Sequence, residues 1–464
     1  MRKSALEPGD KRTGIFIYAD GVAHQCVVGS IWIDRKLGVL AEIPYIEFGT
    51  EQFVVPASWF NNDIAPSSLL FRSEDLYVSL YDCRVIRSVK GTHLDIGRLR
   101  AREAVFAERT GQADSRLLVT KMVSRIDGLA AWSNLSSIDW STELVDRAGP
   151  RKMRVDYTVQ SNRGFEWEQG PARMSIATHW TQSDATGRGI HLADDAILES
   201  RFPKPSPVDR HLAEHRKFRD LLSILAGPGV RFVEHFVRDQ GFGIRMLDGK
   251  IRGAAYERII CAGTISENSQ DAVPTSDWPI VASKNLDASD LEWWSKEYDS
   301  SRRSILPVAS ILQRPHTFAE DKVINCSMSV EALGIALGSA FGEEPTLTSV
   351  SARPTTSTYF YRVIDALDID VSAVAESRIE FARAMASNYN TIKHPDRGDF
   401  PDALHSIYAG KISLALARMA ILQRLPSAGG TVAKYAKGWQ VSRIFDGMKA
   451  DGVEVVAGKF VSVA

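Results

Sequence analysis

The sequence predicts an α+β chain of more than one domain: a β-rich N-terminal body, sandwich- or barrel-like, followed by an all-α C-terminal helical bundle. Three observations predict it. At 464 residues the chain exceeds one comfortable hydrophobic core. Its first two hundred residues are short β-branched and aromatic runs separated by Gly, Asp, Asn and Pro clusters. From about Leu286 the apolar positions recur at helical spacing. The expected divisions are 1–200, a bridge of helix and strands over 201–285, and 286–464.

In chain order, strands are expected at Gly14–Tyr18, Cys26–Ile33, Leu37–Ile43, Leu76–Leu80, Leu117–Val123, Met153–Val159 and Met174–Thr178. One helix-like interruption runs from Arg98 to Arg109, before a turn at 110–114. At Phe202-Pro-Lys-Pro-Ser-Pro207 the pattern changes. Ser206 suits a helix cap, with Pro207 in the first position and Val208, Leu212, Phe218, Leu222 and Leu225 as its apolar stripe. Gly227-Pro228 ends that helix, and residues 230–262 return to strand pattern. A polar connector, 266–277, follows. Helices are then expected at Leu286–Tyr298, Arg302–Leu312, Phe318–Phe341, Ser372–Lys393 and Pro401–Leu425. A fragment beginning near Leu286 is expected to fold alone.

Composition excludes several classes. Hydrophobic residues are 44% and charged residues 24%, which argues against disorder. Lysine plus arginine number 56 against 57 acidic residues, so any polyanion site must be local. The four cysteines are scattered, without the spacing of a disulfide scaffold or thiolate zinc site. The N-terminus lacks the apolar core of a signal peptide, and the apolar stretch 332–341 is too short to span a bilayer. A soluble, cytoplasmic protein with no membrane partner is expected.

The usual phosphate cradles are missing. Gly410-Lys411 has His405 where a P-loop needs glycine, and Ile412 where it needs a hydroxyl. Gly241-Phe-Gly243 lacks its completing glycine, and no G-x-S-x-G elbow occurs. His211-Leu-Ala-Glu-His215 matches the H-x-x-E-H pattern of inverted zinc peptidases, with Glu292 downstream as a third candidate ligand. His215 also falls on the packing stripe between Leu212 and Phe218, where a satisfied core histidine is the commoner outcome. Zinc hydrolysis at His211 and His215 is therefore the minor alternative.

The tract Ser387–Pro395 carries more chemistry. Asn388 is seven residues after Phe381 and three after Met385, so it faces the bundle interior. Pro395 disfavours helix at His394, which places the imidazole at a helix end. Asn390 is four residues from His394, and Lys393 adds a cation. Amide, cation and imidazole together suit a phosphodiester: one polarises it, one neutralises charge and one moves a proton. The structural alternative is that Asn388 anchors two helices while His394 caps one. Residues 371–464 hold 12 lysines and arginines against 8 acidic residues, a local excess of positive charge, although charge runs usually mark solvated faces. Trp293-Trp294 offers base stacking, although helical spacing more often buries at least one of them.

The run Asn388-Tyr-Asn-Thr-Ile-Lys-His-Pro-Asp-Arg-Gly398, then Phe400-Pro-Asp402 and a long Leu/Ala/Arg helix, resembles the C-terminal HEPN domain of ApeA-like proteins. The N-terminal two-thirds is similar to the β-rich ApeA N-terminal domain, including Gly128-Leu-Ala-Ala-Trp132 and Phe218-Arg-Asp-Leu-Leu222. The resemblance implies an anti-phage, abortive-infection effector, with a trigger-sensing N-terminal domain and a metal-independent ribonuclease that needs no cofactor. His394 matches the histidine of the HEPN signature. Asn388 stands at the place of the usual arginine, with Asn390 the other polar candidate, and Arg383 lies too far upstream. Asparagine brings neither charge nor a bidentate fork, so Lys393 would be the compensating charge. Glu331 lies where such domains often carry an acidic partner, or is simply a solvated helix-face charge. The implied partners are RNA, with tRNA a candidate, a phage-derived trigger, and further copies of the chain in a homodimer or higher oligomer through 372–393 and 401–425. A non-catalytic RNA- or protein-binding module is the alternative.

Overall fold

The computed structural model describes residues 6–18, 26–47, 51–109, 116–144, 153–160, 163–185, 189–245, 251–252, 255–261, 279–314 and 316–463. The expected turn at 110–114 and connector at 266–277 lie outside the described residues. The chain divides into two compact units. The first comprises residues 1–127, 136–215 and 231–271; the second comprises 128–135, 216–230 and 272–464. The expected bridge, 201–285, is thus shared between them.

The first unit holds β1 (Lys11–Tyr18), β2 (Cys26–Asp34), β3 (Gly38–Tyr45), α1 (Glu51–Asn61), β4 (Ser68–Arg72), β5 (Tyr77–Tyr81), β6 (Arg84–Val89), β7 (Asp95–Arg100), β8 (Glu103–Val105) and β9 (Leu118–Ile126). After α2 (Leu129–Ser133), which belongs to the second unit, come β10 (Ile138–Leu144), β11 (Met153–Val159), β12 (Arg163–Gln169), β13 (Ala172–Ala185) and β14 (Gly189–Pro207). Helix α3 (Val208–Ala226) follows, then β15 (Phe232–Arg238), β16 (Ile244–Arg245), β17 (Ile251–Arg252) and β18 (Glu257–Cys261). Where a sandwich or barrel was expected, fourteen strands form one ladder in the order 12-13-14-9-15-18-8-5-4-1-2-3-7-6, which has two ends. Its paired strands run antiparallel, β1 against β2 and β13 against β14 among them. Two cores lie along it. Phe16, Ile31, Ile43, Phe71 and Leu99 anchor one; Val119, Met122, Leu212, Val237 and Ile259 anchor the other.

Two expectations in this unit are corrected, and one helix was unforeseen. Residues 98–109 are not helical: they supply the end of β7 and all of β8, and β7 pairs with both β3 and β6. Gly97 explains the tight fit, because a Cβ there would come within 2.1 Å of the Phe60 ring of α1. Ser206 and Pro207 do not start the helix; they end β14 opposite Val119 and Leu118, and Ser206 donates to the Lys204 carbonyl. The proline run marks a register shift between Arg201 and Ser206, where a lost ladder donor is tolerated. Helix α1, with Pro56 inside it, was not anticipated.

The second unit contains α2, the later part of α3, α4 (Ala288–Tyr298), α5 (Arg302–Leu312), α6 (Ala319–Leu337), α7 (Thr356–Ala366), α8 (Arg378–Lys393), α9 (Ala403–Gln423), α10 (Gly429–Ala436), α11 (Trp439–Ala450) and a hairpin of β19 (Val453–Val456) and β20 (Lys459–Ser462). Helix α8 begins at Arg378, six residues later than expected, because Ser377 caps it by accepting the Glu380 amide. Helix α7 and the elements after α9 were missed. Trp294 is core and donates to the Lys217 carbonyl, so it cannot stack on a base; Arg424 lies over the Trp293 ring. Arg418 donates to the carbonyls of Ile224 and Leu225, placing a cation on the last turn of α3. Between α6 and α7, Arg362 grips buried Glu343 with two nitrogens at 2.7 and 2.8 Å and also donates to the Gly334 carbonyl. No helix among the described residues is long and apolar enough to cross a membrane.

Candidate functional site

Helix α8 packs against α6, α7, α9 and the terminal hairpin, and it carries four of the five expected site residues on or at its end. Pro395 stops the helix. His394 becomes its cap in extended geometry (φ −125°, ψ 104°), its amide donating to the Asn390 carbonyl. The imidazole is half-buried, and no side-chain hydrogen bond reaches it among the described residues. Asn390 is half-buried on the same turn.

Glu331 and Lys393 are joined by a residue that the sequence reading did not single out. Lys393 Nζ donates to the Tyr389 hydroxyl at 3.1 Å and lies 5.0 Å from that ring's centroid. Tyr389 in turn donates to Glu331 at 3.3 Å, and Thr356 donates to the other Glu331 oxygen at 2.8 Å. Burial pushes the Tyr389 phenol up, and the hydrogen bond to Tyr389 holds Lys393 above its ordinary value. Glu331 is therefore a bonded partner of α7 and α8 rather than a free surface charge.

Asn388 faces elsewhere. It is only 6% exposed, as its helical phase implies, and its Oδ1 has no hydrogen-bond partner. It lines a cleft of about 270 Å³ together with Ser387, Thr391, Arg397, His405, Lys459 and Phe460. The turn after α8, closed by the Arg397 amide on the His394 carbonyl at 3.0 Å, returns Arg397 to this cleft. A two-residue reversal at Ala457-Gly458, both with positive φ, presents Lys459 and Phe460. His394, Asn390, Lys393 and Glu331 are not among the lining residues. The structure thus separates the expected constellation into a Glu331–Tyr389–Lys393 chain, an open His394 and an Asn388 cleft. Arg397, His405 and Lys459 were missed because only the hairpin and the turn bring them beside α8; the Ala-Gly reversal between two apolar runs was their signal.

The zinc reading is overturned by the hydrogen bonds of the histidines. His211 and His215 are fully buried. The His211 Nε2 lies 3.1 Å from the Val119 carbonyl, which can only accept, so that nitrogen carries the proton. Ser200 then donates to His211 Nδ1 at 2.8 Å and accepts from His215 Nε2 at 2.7 Å. Ser124 donates to His215 Nδ1 at 2.6 Å and accepts from His235 Nδ1 at 2.7 Å. All nitrogens of both motif histidines are engaged, and Glu214 receives the Gln169 amide. Glu292 sits on α4 in the second unit. Among the described residues no group of three or more His, Cys, Asp or Glu converges as a metal site.

Fold and site together define a two-unit protein, with an extended antiparallel sheet in one unit and a helical assembly bearing a polar, cationic cleft in the other. Residues 31–237, from within β2 to β15, match the family model described as ApeA N-terminal domain 1. That match supports an ApeA-like protein. No curated protein and no solved structure matches the chain.

Proposed function

We propose that the protein is an anti-phage defence effector whose helical unit is a HEPN-type, metal-independent ribonuclease and whose β-rich unit receives a phage-derived trigger. The ApeA match supports the defence role. The observation that carries the catalytic role is the unengaged imidazole of His394 at the end of α8, one residue from the Lys393 ammonium. His394 takes the proton of a ribose 2′-hydroxyl as the oxygen attacks the adjacent phosphorus. The 5′-oxygen leaves and is protonated, giving a 2′,3′-cyclic phosphate and a 5′-hydroxyl. Lys393 neutralises the developing phosphorane charge as a point cation.

A second reading, a non-catalytic RNA- or protein-binding module, is favoured by one observation: Asn388 and His394 do not line the same cleft. Incubating labelled RNA with the full chain in EDTA separates the two. Cleavage to cyclic-phosphate ends, lost in His394→Ala, supports the nuclease; RNA bound but intact supports the binding module.

A further inference from the structure

The Asn388 cleft contains what a nucleotide phosphate needs. Arg397 and Lys459 form no ion pair among the described residues, and Asp399 is the one carboxylate in the lining. Two cations against one carboxylate leave a net charge that matches a single phosphodiester. Asn388 is more than nine-tenths buried, with neither amide atom hydrogen-bonded among the described residues; its Oδ1 is closed off, and the amide nitrogen is the atom left open as a donor to a ligand. His405, whose Nε2 lies 3.1 Å from the Ser462 hydroxyl, and the half-buried ring of Phe460 complete one wall. The cleft lies just under the roughly 300 Å³ lower bound of ordinary small-molecule sites, so it fits one sugar-phosphate unit rather than a length of chain.

We propose that this cleft binds one ribonucleotide unit, with Arg397 and Lys459 on the phosphate and the Asn388 amide nitrogen donating to a ribose hydroxyl oxygen. The site stands on its own geometry; only the choice of RNA as a source rests on the function proposed above. An amide in place of an arginine then has a role: it reads the sugar, and the cations of the turn and hairpin take the phosphate.

The test uses the full chain carrying His394→Ala, so that the probe stays intact. A labelled single-stranded RNA, DNA of the same sequence, and adenosine monophosphate are titrated at several salt concentrations. Lys459→Gln and Arg397→Gln, both at exposed positions, are expected to weaken RNA binding about 5–20-fold each and to lower the salt slope by about one. Asn388→Ala is expected to erase the preference for RNA over DNA. Adenosine monophosphate binding with the same dependence on Lys459 assigns free nucleotides as a source; RNA binding without it assigns the strand. Failure of the RNA and adenosine monophosphate alike to bind, or binding indifferent to Lys459 and Arg397, overturns the proposal. An RNA preference unchanged in Asn388→Ala overturns the role of the amide. Absence of RNA cleavage by the unsubstituted chain removes the nuclease reading and leaves this binding result standing.

Discussion

Asn388 shows how burial and function part at one residue. A buried amide normally repays its desolvation through partners, and its removal then strands them at a cost of about 1–3 kcal/mol. Here neither amide atom has a hydrogen bond among the described residues, so truncation orphans nothing. Asn388→Ala is expected to change stability by less than about 1 kcal/mol while weakening RNA binding, which thermal melting and titration check together. His394→Ala should behave alike in stability, within about 0.5 kcal/mol for a half-exposed side chain, while cleavage falls about 10²–10⁴-fold. A melting point several degrees lower with cleavage retained would make the tract architecture. The inward phase of Asn388 and the helix-ending position of His394 were legible in the sequence, because helical period and proline sterics are local. The link from Lys393 through Tyr389 to Glu331 was not, since it depends on α6 and α8 meeting.

At the scale of elements, the serine–histidine chain binds β9, β14, β15 and α3 into one proton order within the first unit. Burial pushes His211 down to about 4, and burial with the neighbouring imidazoles holds His215 well below its ordinary value. An unfolded histidine titrates near 6.5, so between that pH and about 4 the unfolded chain binds more protons than the folded one. Stability is therefore complete above about pH 6.5 and is lost as pH falls toward 4, with His211 alone worth about 3 kcal/mol. Denaturant midpoints measured from pH 8 to pH 4 check the direction. A midpoint that does not move would contradict the neutral chain. Ser124→Ala, which removes one link between two buried imidazoles, should cost about 1–3 kcal/mol. Between α6 and α7 the decisive contact is the Arg362–Glu343 pair, with both side chains under 10% exposed. Glu343→Ala leaves a buried guanidinium without its anion and is expected to cost about 3–5 kcal/mol.

For the whole molecule, the second unit is not a continuous stretch of chain. Residues 216–230 supply the Lys217 carbonyl for Trp294, the carbonyls for Arg418, and Asp220, which receives Tyr298 at 2.6 Å and Gln313 at 2.8 Å. A fragment beginning at Leu286, expected from sequence to fold alone, lacks all of these. Its melt, followed by circular dichroism, should be broader and lower than that of the full chain; an equally cooperative melt would show the added segments to be dispensable. The sequence by itself determined the class of most segments: strands before helices, α3 and its Gly227 stop, α5 to the residue, and the burial of one tryptophan of the 293–294 pair. Those properties rest on periods of two or 3.6 residues and on single-residue sterics, which act within a few positions. Only the tertiary structure decided the order of fourteen strands, the conversion of 98–109 from expected helix to ladder, and the engagement of an apparent zinc motif by two serines. It alone also brought Arg397, His405 and Lys459 around Asn388. The physical reason is the same throughout: strand pairing, buried hydrogen-bond partners and convergent charges are set by which distant segments the chain folds together, and no local pattern encodes that choice.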